Sequence, residues 1–282
     1  MRVPVACRSA GFVVGAGVVG GLGLAAVLAP LLAPHDPHAL SGAPLEPPSG
    51  AHWLGTNDVG QDVLSQVIWG ARSSMALALA AAVVSTAVGV VIGIGAPLVG
   101  RVADTVAMRA VDVFLAVPGL PLLILLVALV GPSRIAMVLA VASFSWPAIA
   151  RIVRSQVLSL RSRGFVDAAR GFGAGPSYLL RRHLAPAVGP LIGTNFVAVA
   201  GVAVFLDAGL AFLGLGDPTV PSWGLMLNRA SNYPGLYFSD AWQWWVLPPG
   251  LAVTAAVLGL TFMWVGCETR MNPRLAAAPA AG

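Results

Sequence analysis

The chain has 282 residues, 57% hydrophobic and only 10% charged, with a mean hydropathy of +0.85. Soluble domains hold about 25% charged residues, so an ordinary water-soluble globule is excluded. The net charge of +5 rests on sixteen basic residues that are all arginine, and a sequence without lysine has neither a Walker A phosphate loop nor Schiff-base chemistry.

Apolar runs near the roughly 20 residues that cross a bilayer core of about 30 Å predict an all-α polytopic membrane protein. Six spans are read, at 11–32, 73–99, 111–130, 135–153, 188–213 and 245–267. The first begins after Arg2 and Arg8, but its apolar run exceeds the core of about 7–15 residues in a cleaved signal peptide, so it is taken as a retained span.

Residues 34–72 are too long for a turn. Their proline-rich start, APHDPHALSGAPLEPPSG, reads as extended, and Val63–Trp69 as a short interfacial helix. His35 and His38 flank an aspartate and His52 follows at a distance. Three histidines in one loop offer a metal ion its ligands, yet proline-separated loop histidines are expected to be solvated, and no metal site is assigned. Trp53 and Trp69 are expected at the membrane–water boundary, where an aromatic ring keeps one wet edge. The third and fourth spans are interrupted by Pro118, Pro121, Pro132 and Pro147, tolerable where neighbours satisfy the freed carbonyls.

Six spans put both ends of the chain on one side. If that side is cytoplasmic, the arginines divide 13 inward to 3 outward, with only Arg72, Arg134 and Arg229 outside. The positive-inside rule then gives an N-in, C-in topology. Scattered arginines between apolar runs also fit membrane orientation better than nucleic acid. Cys7 and Cys267 fall at cytoplasmic ends, so no disulfide is expected.

The longest internal cytoplasmic loop contains DAARGFGAGPSYLLRRHLAP. Phe165, Ala168, Ala169 and Phe172 recur at i, i+3, i+4 and i+7, one face of a short helix. Gly173 and Gly175 suit its left-handed closure, and Pro176 the first turn of a second helix. Arg181, Arg182 and His183 crowd that helix's end, favourable for its dipole, and Pro186 is expected to stop it before the fifth span. A basic loop obeying the positive-inside rule needs neither the apolar stripe nor the Gly–Pro joint; a helix presented to a partner's groove accounts for both.

Asp207, near the outer end of the fifth span, is read as facing water, since an unpaired buried charge is costly. Beyond it, residues 214–244 begin an aromatic cluster: Trp223, Tyr233, Tyr237, Trp242, Trp244 and Trp245. An interfacial belt is the favoured reading and a substrate mouth the alternative. No HExxH, paired CxxC, GxSxG or GxGxxG stands in its proper context. The central spans are nearly free of ionisable groups, which describes a conduit energised from elsewhere.

The cytoplasmic segment resembles the EAA loop of ABC importer permeases: Asp167-Ala168-Ala169, then Gly173, then Pro186, with His183 three residues before that proline as in the peptide/nickel subgroup. HWLGTNDVGQDVLSQVIWGAR resembles the subgroup's external signature HxLGTDxxGRDVLSRxIxGAR, with Gln61 and Gln66 where arginine is usual. LDAGLAFLGLGDPTVPSWGLML and the tail NPRL resemble two further stretches. The resemblance implies a type I (MetI-like) fold and the C-type permease of a dipeptide/oligopeptide importer. Its ATPase-coupling loop would comprise Asp167, Ala168, Ala169, Gly173, Pro176, Arg181, Arg182, His183 and Pro186, with Trp53, Trp69 and Trp223 as docking or interfacial residues. Implied partners are a second permease, one or two ABC ATPase subunits that carry ATP and magnesium, an extracytoplasmic solute-binding protein and membrane lipid; this subunit would hold no cofactor. Alternative readings are a nickel or metal-chelate permease and an autonomous channel or secondary transporter. The expected organisation is a first span within 1–33, an external loop at 34–72, a five-helix core at 73–270 with its coupling loop at 158–187, and a tail at 271–282.

Overall fold

The computed structural model describes residues 10–164, 169, 171–173 and 175–271. α1 (Ala10–Val27) passes through a break at Leu28 into the short α2 (Ala29–Leu32). After an irregular stretch, α3 (Val63–Val99) runs for 37 residues, about 55 Å at 1.5 Å per residue. It therefore projects well beyond a 30 Å core. The expected interfacial helix at Val63–Trp69 is the outer end of this one rod. Gly70, where a break would fall, packs instead: a Cβ there would lie 2.8 Å from the Trp223 ring. Asp62 caps the rod by accepting from the Ser65 N–H at 2.8 Å.

Residues 100–133 form α4 (Arg101–Ala116) and α5 (Gly119–Val130), bent by 88° at Val117–Pro118. α5 is only about 18 Å long. The pair is nonetheless one crossing, because α6 (Arg134–Arg161) runs parallel to α3: Gly89 meets Trp146 and Ile149, and Gly93 meets Ala150 and Val153. A chain that leaves α3 at one end and enters α6 at the other has crossed back between them.

α7 (Pro176–Leu179) continues through a π turn at Leu180–Leu184 into α8 (Ala185–Phe212). α9 (Trp223–Ser231), α10 (Trp242–Trp245) and α11 (Leu247–Met271) complete the described chain. α11 is antiparallel to α1, since Gly15 abuts Gly259–Met263 while Val18 and Val19 abut Gly259. The start of α1 and the end of α11 therefore share one side. Six crossings follow, as the apolar runs predict.

Apolar side chains gain little by leaving lipid for one another, so helix association relies on close packing. At Gly93 an added Cβ would sit 2.7 Å from the Ala150 carbonyl oxygen, a contact that lets the α3 and α6 backbones touch. Ala81, Val141, Ala203, Val204 and Ala256 are fully buried at the shared centre of α3, α6, α8 and α11. On the cytoplasmic side α4 is held to α6 by Arg154, whose Nε and Nη2 donate to the two Asp104 oxygens at 2.5 and 2.7 Å, and by Arg151 paired with Asp112. Hydropathy does not announce this amphipathic α4, whose carboxylates Asp104 and Asp112 face α6 while Arg101 and Arg109 stay exposed.

Candidate functional site

The inner surface is built on a buried stalk. α6 ends at Arg161, whose guanidinium donates to the Pro97 carbonyl of α3. Leu184 is buried against Val153, Val157, Leu160 and Val188, with Leu180 packed beside it, which fixes the π turn onto α6; Leu179, at the end of α7, is buried just before it. Beyond this stalk Phe172 is 93% exposed, and Gly173 takes φ +84°, the left-handed conformation expected of a helix-closing glycine. Nothing lies within 4 Å of where a Gly173 Cβ would project. Ala169, Phe172, Gly173, Tyr178 and His183 line a shared hollow, with the Tyr178 and His183 rings edge to face at 5.8 Å. Arg181 and Arg182 are exposed beside it. Asp167 and Ala168 lie outside the described residues.

One expectation fails here. Pro186 does not stop the second loop helix; it sits in the first turn of α8, which is continuous with α7. A proline inside an α-helix lacks its N–H and clashes with the carbonyl four residues back. The π turn relieves both, with the Ala185 N–H donating to the Leu180 carbonyl five residues back. The loop is therefore rigidly joined to the fifth span.

At the outer end, residues 34–62 and 214–246 fold together into a cap with its own small core. Val63, Met226, Ala230, Leu236, Ala241 and Trp245 are buried in it. The Trp244 Nε1–H donates to the Thr56 carbonyl at 3.2 Å, joining the two segments. Most of the cluster read as a belt is thus partly or wholly inside the protein. Trp223 is the clearest correction: fully buried, it donates through Nε1 to the Val67 carbonyl at 3.0 Å and offers nothing to a docking partner. Trp53 is 70% exposed and Trp69 half-buried, with the Arg72 guanidinium 5.4 Å above its ring. Asp217 lies in this cap; hydrogen bonds from the Thr219 hydroxyl and N–H hold it below the usual carboxylate range.

Two polar expectations also change. Asp207 does not face water: it is 3% exposed, covered by α9, whose Gly224 lies against Ala208, and it lines a small cavity with Ser73, Arg134, Asp217 and Ser222. His52 is not solvated either, being 3% exposed with Nδ1 2.9 Å from Asp62 Oδ1. That contact holds the imidazole above its ordinary range, against the opposing effect of burial. Nearby, amides form a lattice: Asn57 Nδ2 and Gln66 Nε2 both donate to Gln61 Oε1, at 2.9 and 2.7 Å. Gln66 reaches the Pro37 carbonyl and Gln61 the His38 carbonyl. Nothing in hydropathy or spacing announces these partners, which lie up to 29 residues apart.

Comparison with known proteins places this geometry. Residues 85–276 match the family model described as binding-protein-dependent transport system inner membrane component. A Brucella suis protein named as a candidate peptide permease is 40% identical over 248 residues, covering 87% of this chain and 81% of that protein. The glutathione transport system permease protein of Pectobacterium atrosepticum is 36% identical over 231 residues, 82% of this chain and 75% of that one. A chain of the MetNI methionine ABC transporter, solved in an inward-facing conformation, shares the fold with a TM-score of 0.53 at 18% identity, over 72% of this chain and 97% of its own. The chain belongs to the family of binding-protein-dependent transport system inner membrane components.

Proposed function

We propose that the chain is a permease subunit of an ABC importer that carries di- and oligopeptides inward across the cytoplasmic membrane. One observation carries the reading: an exposed Phe172–Gly173 turn stands on a buried stalk continuous with a membrane-spanning helix. Such an element suits the groove of a cytoplasmic ATPase and transmits its movement into the bundle. In this reading Ala169, Gly173, Pro176 and His183 shape the turn, with Asp167 and Ala168 on its approach, while Arg181 and Arg182 meet the partner's surface. Catalysis, ATP and magnesium belong to the partner ATPases, and in this reading the transport step draws on no cofactor held by this subunit. A second permease completes the pathway, and an extracytoplasmic binding protein delivers substrate to the outer cap beside Trp53. The names of the relatives favour peptide cargo.

Reconstitution tests this directly. The chain is placed in proteoliposomes with its partner permease, ATPases and binding protein, and uptake of a labelled dipeptide is compared with that of radioactive nickel. ATP-dependent dipeptide uptake is expected. Nickel uptake alone would replace the cargo, and transport by the chain without any ATPase would overturn the mechanism.

A further inference from the structure

The outer cap brings together three side chains that the transport reading does not use. His35 follows α2, His52 lies in the loop, and Asp62 is the N-cap of α3. Nδ1 of His35 and Nδ1 of His52 lie 3.9 and 2.9 Å from the same carboxylate oxygen, Oδ1 of Asp62. One donor atom from each residue falls within 4.8 Å of the others, and the two rings are 4.8 Å apart. His52 and Asp62 are 3% and 1% exposed, so these groups are not a solvated surface cluster.

The surrounding hydrogen bonds aim the donors inward. His52 Nε2 lies 3.3 Å from the Ser41 carbonyl oxygen, the only role for which is to donate its proton there. In a neutral ring the opposite nitrogen, Nδ1, then carries the lone pair and faces a carboxylate oxygen that is also an acceptor. Two acceptors at 2.9 Å need a positive centre between them. Asp62 Oδ2 is meanwhile engaged by the Ser65 N–H and hydroxyl at 2.8 and 2.7 Å, leaving Oδ1 for the centre of the cluster. Ser65 Oγ also accepts from the His35 N–H at 3.0 Å, tying the third residue to the same corner. An imidazole braced by a backbone carbonyl and a carboxylate braced by its own donors form the outer shell usual around metal-bound side chains.

A proton on His52 satisfies the His52–Asp62 contact. It does nothing for His35 Nδ1, which is buried from solvent and has no hydrogen-bond partner. A metal ion serves all three donors at once. Two imidazole nitrogens and one carboxylate oxygen suit a borderline divalent cation such as zinc. Ligand distances of about 2.0–2.2 Å place neighbouring donors roughly 3.3 Å apart. The His52–Asp62 contact opens by a few tenths of an ångström to reach this, and the 32%-exposed His35 swings inward. Glu46, whose charge also acts on His52, adds negative potential to the corner.

We propose that His35, His52 and Asp62 form a zinc site that cross-links the start of the outer loop to the head of α3. The test uses the full chain assembled with its transporter partners in nanodiscs, with Cys7 and Cys267 replaced by serine to remove thiol ligands. Zinc binding is followed by equilibrium dialysis and metal analysis, and cobalt(II) visible absorption reports tetrahedral coordination. One zinc per chain is expected. His35→Ala, which leaves the α3 cap in place, is expected to weaken binding at least tenfold and abolish the cobalt bands. His38→Ala, at an exposed position, should change neither. Zinc binding lost in His38→Ala but kept in His35→Ala, or wild-type chain with no stoichiometric zinc, would overturn the assignment.

Discussion

Replacing Gly173 by valine separates a coupling turn from a charged loop. The residue sits at φ +84°, where a β-branched side chain is strained by about 1–3 kcal/mol. Among the described residues no atom lies within 4 Å of the new Cβ, so the cost is that of the backbone. At about 2 kcal/mol the left-handed turn loses a factor of roughly 30 in population, since about 1.4 kcal/mol is tenfold. Phe172, one residue earlier, is then presented in its docking orientation only a few per cent of the time. The stalk is untouched, because Leu180 and Leu184 pack on α6 independently of the turn. Gly173→Val is therefore expected to insert and assemble normally, while ATP hydrolysis in nanodiscs loses its stimulation by substrate-loaded binding protein. Gly173→Asn is the control, because asparagine adopts this conformation far more readily; it should keep most of the stimulation. Wild-type stimulation in the valine variant would refute the coupling role. Loss in both variants would refute the backbone argument and point to a requirement for bare space at the docking contact.

Trp223→Ala should lower the stability of the purified complex by about 3–5 kcal/mol, read as a fall in thermal midpoint, because it empties a fully buried site. Trp223→Phe, which loses the N–H donated to Val67, should cost only about 1 kcal/mol. At exposed Trp53, substitution by serine should reduce uptake while leaving basal ATPase activity and thermal midpoint unchanged; unaltered uptake would make this ring a bystander. In a cysteine-free background, an impermeant thiol reagent on intact cells should label Ala51→Cys and spare Ser162→Cys, both at exposed positions. The reverse pattern would invert the topology.

Long-range packing decides which of these features the sequence reveals. The six crossings are legible because lipid imposes a minimum apolar length on each. Gly173 is legible because a left-handed helix end selects glycine locally. Trp223 is not, since its burial depends on Val67 and Gly70, some 150 residues earlier in the chain. Pro186 misleads because its usual helix-breaking effect is cancelled by a widened turn on its N-terminal side. His52 reads as a solvated loop residue until Asp62 and Ser41 are seen to enclose it. The bend at Val117–Pro118 is marked by its proline, but the amphipathic α4 before it is hidden, because Asp104 and Asp112 find their arginines some 40–50 residues away.

The amide lattice has a consequence for how this corner tolerates substitution. The external signature that this segment resembles carries aspartate, arginine and arginine where this chain has Asn57, Gln61 and Gln66. Here Gln61 accepts from both Asn57 and Gln66, so the three neutral side chains are coupled rather than independent. Gln66 is 4% exposed, and an arginine placed there alone would bury a cation among partners arranged for a neutral amide. Changing one of these side chains alone therefore strands the hydrogen-bond partners of the others, and a charged set has to be introduced together. The neighbours' geometry thus makes the outer corner of this chain a unit that tolerates substitution only as a unit.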